Sequence, residues 1–281
     1  MKKILLPSDF SENAYNALKY AVQLYREDAC TFYLLHTYTA PIYQAPYVLE
    51  SPSQIGLGDM YRTESQEYLE RVRERAMKEF KNPNHIFRTH AAFNTLIDEI
   101  NDTVQNEGID LIIMGTRGAT GAKEILFGTN TVNAIKKATC PVIAVPSLFK
   151  YDSPREILFP TDYEINYQEI HLEELLHLAM RFRALINVLH ISASYGLDGE
   201  ETDNKALLSR LLEKVDHQYY ELPDMEIVPA IMDFQTKYGT DFLVMVRNRH
   251  TFIERLFIEP IIQKIGFNID VPFMVIPDQT A

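Results

Sequence analysis

Apolar and polar positions follow two different periods along the first half of the chain. Residues 4–6 form a continuous apolar run, which is typical of a strand buried on both faces of a sheet. Further strands are predicted at residues 31–37, 86–91, 109–114 and 142–145. Between these runs, apolar residues recur every three or four positions, which predicts amphipathic helices after Ser11 and at residues 64–80, 95–105 and 130–137. Strict alternation of strand and helix predicts a parallel sheet with helices on both faces.

Four segments of the first half recur in the same order in the second half, so the chain is a tandem duplication. The pairs are residues 3–10 and 156–163, 34–36 and 188–190, 109–114 and 240–245, and 141–146 and 272–277. We expect two α/β domains, residues 1–147 and 148–281, each long enough to bury a core. Each is predicted to hold a five-stranded parallel sheet, for which the working hypothesis is the strand order 3-2-1-4-5.

The offset between the copies falls from 153 to 131 residues, so the second copy lacks about 22 residues after its second strand. The matching surplus in the first copy is residues 38–58, which are rich in Pro, Tyr, Ser and Gly and predict a long loop. A functional loop and an inert insertion are both open interpretations.

Composition excludes several classes of protein. No run approaches the roughly 18 apolar residues of a membrane span, and the chain reaches Pro7 and Asp9 too early for a signal peptide. Cys30 and Cys140 are too few for a disulfide framework, so we expect buried thiols in a cytoplasmic protein. The net charge of −12 divides into −2 for residues 1–146 and −10 for the remainder, which disfavours binding to nucleic acid or anionic membranes.

Candidate chemistry gathers at two predicted strand ends of the first copy. In open α/β sheets, ligands bind beyond the carboxyl ends of strands where the strand order reverses. Residues 7–9 (Pro-Ser-Asp) follow the first strand, and residues 115–118 (Gly-Thr-Arg-Gly) follow the fourth. If the strands are ordered 3-2-1-4-5, these two ends lie side by side at the point of reversal. Glycine lets the backbone approach a ligand closely.

A third glycine, Gly128, is separated from Gly118 by nine residues and opens a helix. The free N–H groups and the positive dipole end of a helix start attract anions. The hydroxyls of Thr129 and Thr131 are candidate additional donors. Together these features predict a two-part cradle for phosphate groups.

The glycine pattern Gly-x2-Gly-x9-Gly-Thr, with the Pro-Ser-Asp-Phe-Ser after the first strand, resembles the nucleotide-binding branch of the universal stress protein family. The resemblance implies an adenine-nucleotide α-hydrolase-like fold that binds ATP or another adenine nucleotide, often with Mg²⁺ or Mn²⁺. It further implies an internal pseudo-dimer in which residues 141–145 pair with residues 272–276. By the same resemblance, the binding residues are Pro7, Ser8, Asp9, Thr37, Met114, Gly115, Arg117, Gly118, Gly128, Thr129, Asn130 and Thr131.

The second copy departs from this pattern. Val246 and Arg247 stand where Gly115 and Thr116 stand in the first copy, and Glu259 lies near the equivalent helix start. A carboxylate there would repel phosphate, so we expect no ATP site in this copy. Arg247 and Arg249 are candidates for another anion site, for solvated side chains, or for salt bridges between the domains.

We therefore expect a nucleotide-dependent stress-response regulator with protein partners that the sequence does not identify. One alternative is an interaction module that works without nucleotide. Another is a nucleotide hydrolase or transferase, although the Ser-Gly-Gly-x-Asp-Ser type of loop is missing after the first strand. No catalytic residue and no metal cluster stand out, Asp9 is the nearest carboxylate for slow hydrolysis, and His36 and His190 are interpreted as fold residues. A homodimer of the whole chain is left open.

Overall fold

The structure, a computed structural model, describes residues 1–39, 57–116, 128–168, 170–191, 196–222, 225–247 and 270–278. In the first half the elements are β1 Lys2–Pro7, α1 Glu12–Leu24, β2 Cys30–Tyr38, α2 Leu57–Phe80, β3 His85–Phe93, α3 Leu96–Glu107, β4 Leu111–Gly115, α4 Thr129–Lys137 and β5 Val142–Val145. In the second half they are β6 Glu156–Thr161, α5 Glu173–Phe182, β7 Leu185–Ile191, α6 Gly199–Leu212, β8 His217–Leu222, α7 Ile227–Tyr238, β9 Phe242–Arg247 and β10 Phe273–Pro277.

Within the described residues, all strands join one sheet of order β3-β2-β1-β4-β5-β10-β9-β6-β7-β8. Each half therefore has the predicted order 3-2-1-4-5, which is confirmed, and neighbouring strands within a half are parallel. The two halves meet at β5 and β10, which pair antiparallel with Ile143 opposite Met274. The predicted pseudo-dimer contact is confirmed, and it removes two open sheet edges.

Two hydrophobic cores lie on opposite faces of this sheet, because side chains alternate along each strand. Ile4 and Leu6 of β1 belong to the core under α1, α2, α5 and α6, whereas Leu5 belongs to the core under α3, α4 and α7. Each core includes residues of both halves. The duplication therefore folds as one continuous three-layer structure.

The predicted loop at residues 38–58 is only partly within the described residues. β2 extends to Tyr38, and α2 begins at Leu57, so the prediction was too long by one residue at its start and two at its end. Residues 40–56 lie outside the described residues. The helix cap predicted at Ser11 is confirmed: its side chain accepts the Ala14 N–H at the start of α1.

Candidate functional site

A cavity of about 410 Å³ opens at the carboxyl ends of β1, β2 and β4, where the strand order reverses. Every predicted binding residue within the described residues lines it: Pro7, Ser8, Asp9, Thr37, Met114, Gly115, Gly128, Thr129, Asn130 and Thr131. Arg117 and Gly118 lie outside the described residues. The volume falls in the range of small-molecule sites, roughly 300–1,000 Å³.

The start of α4 forms one wall of this cavity. Gly128 is its N-cap residue and provides no side-chain cap, and no acidic residue occupies the first turn. The first N–H groups of a helix have no acceptor inside the helix, so this wall presents backbone donors and the positive dipole end. Such an arrangement is suited to an anion.

Two hydrogen bonds fix this helix start to the end of β4. The Thr131 hydroxyl donates to the Gly115 carbonyl at 2.8 Å, and the Gly128 N–H donates to the Thr116 carbonyl at 2.7 Å. The Thr131 side chain is only 2% exposed, and its single hydroxyl proton is already used. The expectation that this hydroxyl donates to phosphate is therefore corrected: Thr131 positions the helix, whereas the Thr129 side chain is exposed at the cavity.

The structure gives a reason for glycine at position 115 that the sequence did not reveal. A Cβ atom placed on it would lie 2.5 Å from Nδ2 of Asn13, which is a steric clash. The glycine thus makes room for an α1 side chain and does not serve the ligand alone. Asn13 could not be found from the glycine spacing, because its approach depends on how α1 packs on β4.

The turn after β1 is held by its own side chains. Asp9 Oδ1 accepts the Ser11 N–H at 3.1 Å and the Ser11 hydroxyl at 2.5 Å, and Ser8 Oγ accepts the Phe10 N–H at 3.1 Å. Phe10 has φ of 64°, a left-handed conformation that is costly for an aromatic residue. Asp9 therefore serves the turn while it also lines the cavity.

His36 lines the cavity as well, which the sequence interpretation did not include. Its Nδ1 lies 2.8 Å from the Ser8 carbonyl, and its ring packs 4.3 Å from that of Phe10. His190 makes the equivalent contacts in the second half, with the Thr161 carbonyl at 3.0 Å and the Tyr163 ring at 4.7 Å. The repeated geometry supports the fold role proposed for both histidines.

Ala14 and Leu96 are the other lining residues absent from the sequence prediction. They lie in the first turn of α1 and at the first position of α3. Each helix follows a strand whose carboxyl end faces the cavity edge. The sequence therefore held a signal for these two residues. When a helix follows a parallel strand, its first residues lie at the same edge of the sheet as the end of the strand.

The second half keeps the turn but changes the helix that follows it. Tyr163 has φ of 63°, and its N–H donates to Thr161 Oγ1 at 3.0 Å, as Phe10 does to Ser8. However, α5 begins only at Glu173, and Tyr167 in the irregular segment before it is buried, with its hydroxyl bonded to that of Thr161. Burial also raises the pKa of Asp162 above its ordinary value.

Arg247 makes contacts between the halves. Its Nη1 donates to the Ile135 carbonyl at 2.7 Å and its Nη2 to the Ala138 carbonyl at 3.0 Å. Of the alternatives left open for Arg247, a contact between the domains is present, but it consists of hydrogen bonds to the backbone of the first half. Arg249 and Glu259 lie outside the described residues.

The described residues include neither a metal-binding cluster nor a reactive thiol. Among the described residues, no cluster of three or more His, Cys, Asp or Glu side chains is placed to hold a metal ion. Cys30 and Cys140 are buried, and burial raises the pKa of each thiol to about 12, which makes both unreactive. None of the described helices is long and apolar enough to cross a membrane.

Comparison with known proteins identifies the family. A model of the universal stress protein family matches residues 1–146, just over half of the chain. This chain belongs to the universal stress protein family. Two universal stress proteins of Methanocaldococcus jannaschii, MJ0531 and MJ0577, are 31% and 32% identical to it. Each match covers 51% of this chain and, respectively, 81% and 94% of the relative.

A solved structure extends the likeness to the whole length. The crystal structure of a universal stress protein from Archaeoglobus fulgidus matches 98% of this chain and 96% of that chain, with a TM-score of 0.65 and 16% identity. At this identity the match shows the fold alone. It covers both halves, in agreement with the ten-stranded sheet.

Proposed function

We propose that residues 1–147 bind ATP or another adenine nucleotide in the cavity, and that residues 148–281 form a degenerate partner domain. The observation that carries this proposal is the uncapped start of α4 in the wall of the cavity. Gly115 and Gly128, two glycines of the pattern that resembles the nucleotide-binding branch of the family, line the same cavity. In this account the chain is a stress-response regulator that senses its nucleotide.

The charges around the cavity favour one orientation of the nucleotide. Phosphate groups would accept hydrogen bonds from the first turn of α4, at Thr129 and its neighbours. Asp9 carries a negative charge and would repel phosphate, but a carboxylate can accept a hydrogen bond from an amino group of a base. The base therefore belongs near Pro7, Asp9 and the backbone of Thr37.

Mg²⁺ or Mn²⁺ fits this site only as a companion of the phosphates. Asp9 is the one carboxylate among the described residues that line the cavity, and they form no metal cage. Mg²⁺ commonly keeps several waters and binds through substrate phosphates. None of the described residues that line the cavity is a Lys or an Arg, so the metal would neutralise phosphate charge that these side chains do not.

The described residues that line the cavity favour nucleotide binding over efficient catalysis. Phosphoryl transfer to water needs a residue that orients the water and a cation that stabilises the transition state. Among the described lining residues, Asp9 is the nearest candidate base, and its Oδ1 is engaged by Ser11. We expect at most slow hydrolysis, so occupancy of the site would carry the signal.

Calorimetric titration of the full chain with ATP tests the proposal. We expect saturable binding with one nucleotide per chain, together with an increase in melting temperature, because a ligand that binds only the folded state stabilises it. Absence of binding would favour the interaction module that works without nucleotide. Two sites per chain would contradict the degeneracy of the second half.

A further inference from the structure

Arg247 differs in size, charge and contacts from the residue at the equivalent position of the first half. By the repeat it corresponds to Thr116, which is buried at the end of β4 and accepts the Gly128 N–H. In the second half this position carries a long cation at the end of β9 instead. Its side chain crosses to the first half and bonds to Ile135 and Ala138.

The contact is placed at the carboxyl end of α4. Both bonded carbonyls belong to the last turn and to the C-cap residue of that helix. Carbonyls at a helix end lack partners inside the helix and carry the negative end of the dipole, so a guanidinium is a favourable partner. Two donors of one planar group also fix direction better than a single contact does.

Helix α4 is thus held at both ends, by different halves of the chain. Its start is bound to β4 through Thr131 and Gly128, and its end is bound by Arg247 from across the sheet. The Asn101 side chain of the first half adds a longer bond, 3.4 Å, to the Lys137 carbonyl. With nine residues, the helix spans about 13 Å between the cavity and Arg247.

We propose that Arg247 is a positioning residue for the nucleotide site: by fixing the end of α4, it sets the direction in which the helix start presents its N–H groups to the phosphates. This inference rests on the proposed function and adds that the second half helps to shape the phosphate cradle of the first. The second half would then influence binding although it holds no ATP itself.

The experiment compares ATP with adenosine, which lacks phosphates. In an Arg247→Ala variant of the full chain, we expect ATP affinity to fall by about fivefold to tenfold, the scale of typical coupling between sites. Adenosine affinity is expected to stay within twofold of the unchanged protein. Arg247→Lys keeps the positive charge but cannot donate two hydrogen bonds from one planar group. Its ATP affinity should lie between that of the unchanged protein and that of Arg247→Ala.

Tyr25→Phe is the matched control. The Tyr25 hydroxyl donates to Glu174 Oε1 at 2.5 Å, which is also a contact between the halves, but it lies away from α4. This variant should bind ATP normally even if it melts at a lower temperature. Melting curves of all variants show whether each one is folded at the titration temperature.

Each outcome decides the question. Equal losses of ATP and adenosine affinity in Arg247→Ala, or an equal loss of ATP affinity in Tyr25→Phe, would mean that general destabilisation is responsible and would overturn the inference. Unchanged ATP affinity in a folded Arg247→Ala variant would overturn it as well, while leaving the proposed function intact. Failure of the unchanged chain to bind ATP would instead overturn the proposed function, and the inference with it.

Discussion

Gly115 and Gly128 line the same cavity, but they are glycines for different physical reasons. At Gly115 a side chain would collide with Asn13. At Gly128 the backbone has φ of −63° and ψ of 152°, which any residue can adopt, so the absence of a side chain leaves the helix start uncapped. The first glycine serves packing, whereas the second leaves donors available to a ligand.

A double-mutant cycle tests the packing role of Gly115. Gly115→Ala should lower the free energy of unfolding by about 1 kcal/mol, because the Asn13 amide has to move. The penalty should be smaller when Asn13→Ala is already present, since the clash is then relieved. Urea denaturation of the four proteins measures both values. Equal penalties in the two backgrounds would show that Asn13 is not the cause.

Gly128 allows the electrostatic role of the helix start to be isolated. Asp and Asn have nearly the same shape and both cap helices well, so Gly128→Asp and Gly128→Asn should each be as stable as the unchanged chain or more so. They differ in charge, and a carboxylate a few ångströms from phosphate is repulsive. Gly128→Asp should therefore bind ATP at least about tenfold more weakly than Gly128→Asn. Equal affinities by calorimetry would argue that phosphate does not bind at this helix.

At the level of elements, β3 carries a pH-sensitive contact at the outer edge of the sheet. His85 Nε2 is bonded to the Tyr25 carbonyl at 3.0 Å, while its Nδ1 is buried without a hydrogen-bond partner among the described residues. Burial lowers the pKa of His85 below its ordinary value near 6.5. Protonation would leave a buried N–H of the ring without an acceptor.

The sign of the pH dependence follows from this shift. The unfolded chain binds a proton at His85 more readily than the folded chain does. The contribution of neutral His85 to the free energy of unfolding is therefore complete above pH 6.5 and is lost as the pH falls below that value. In His85→Gln, which keeps a donor for the Tyr25 carbonyl, this component should be absent. Urea denaturation between pH 7.5 and about 5 measures the difference. Parallel pH profiles of the two proteins would contradict the assignment.

Strands and helices were the most predictable elements, because their signals are local. The alternation of strands and helices follows from periodicity, and the glycine spacing located Gly115 and Gly128 at the cavity. The strand order was a hypothesis, and Pro7 and Thr37 were named through the family resemblance. The late start of α5 was not predictable, since it depends on the burial of Tyr167 and Ile165 where the repeat would place a helix turn. The partner of the Thr131 hydroxyl likewise depends on how α4 packs on β4.

At the level of the whole molecule, the antiparallel pairing of β5 with β10 joins the two halves in one sheet. The family resemblance implied this contact, and the duplication supplies a physical reason for it, because each copy alone would expose an apolar edge strand. The side chains that cross between the halves were not predictable from either copy. The contact of Arg247 with the end of α4 has no counterpart in the repeat pattern. The contacts of Glu174 with Lys2 and Tyr25 have none either.

The contact between Lys2 and Glu174 offers a test of how firmly the halves are joined. Glu174 is only 7% exposed and is paired with the Lys2 ammonium from the first half. Lys2→Met should lower the free energy of unfolding by about 3 kcal/mol, because it leaves a buried carboxylate without its cation. Lys2→Met with Glu174→Gln should recover most of the loss, since the amide can still accept from Tyr25. Urea denaturation gives both values, and no recovery in the double variant would refute the explanation.

The most direct test of the account is a crystal structure of the full chain with bound ATP. We predict that the phosphates lie within hydrogen-bond distance of the first N–H groups of α4, and that the base lies beside Pro7 and Thr37. Density for the nucleotide in the second half alone, or phosphates directed away from α4, would contradict the account.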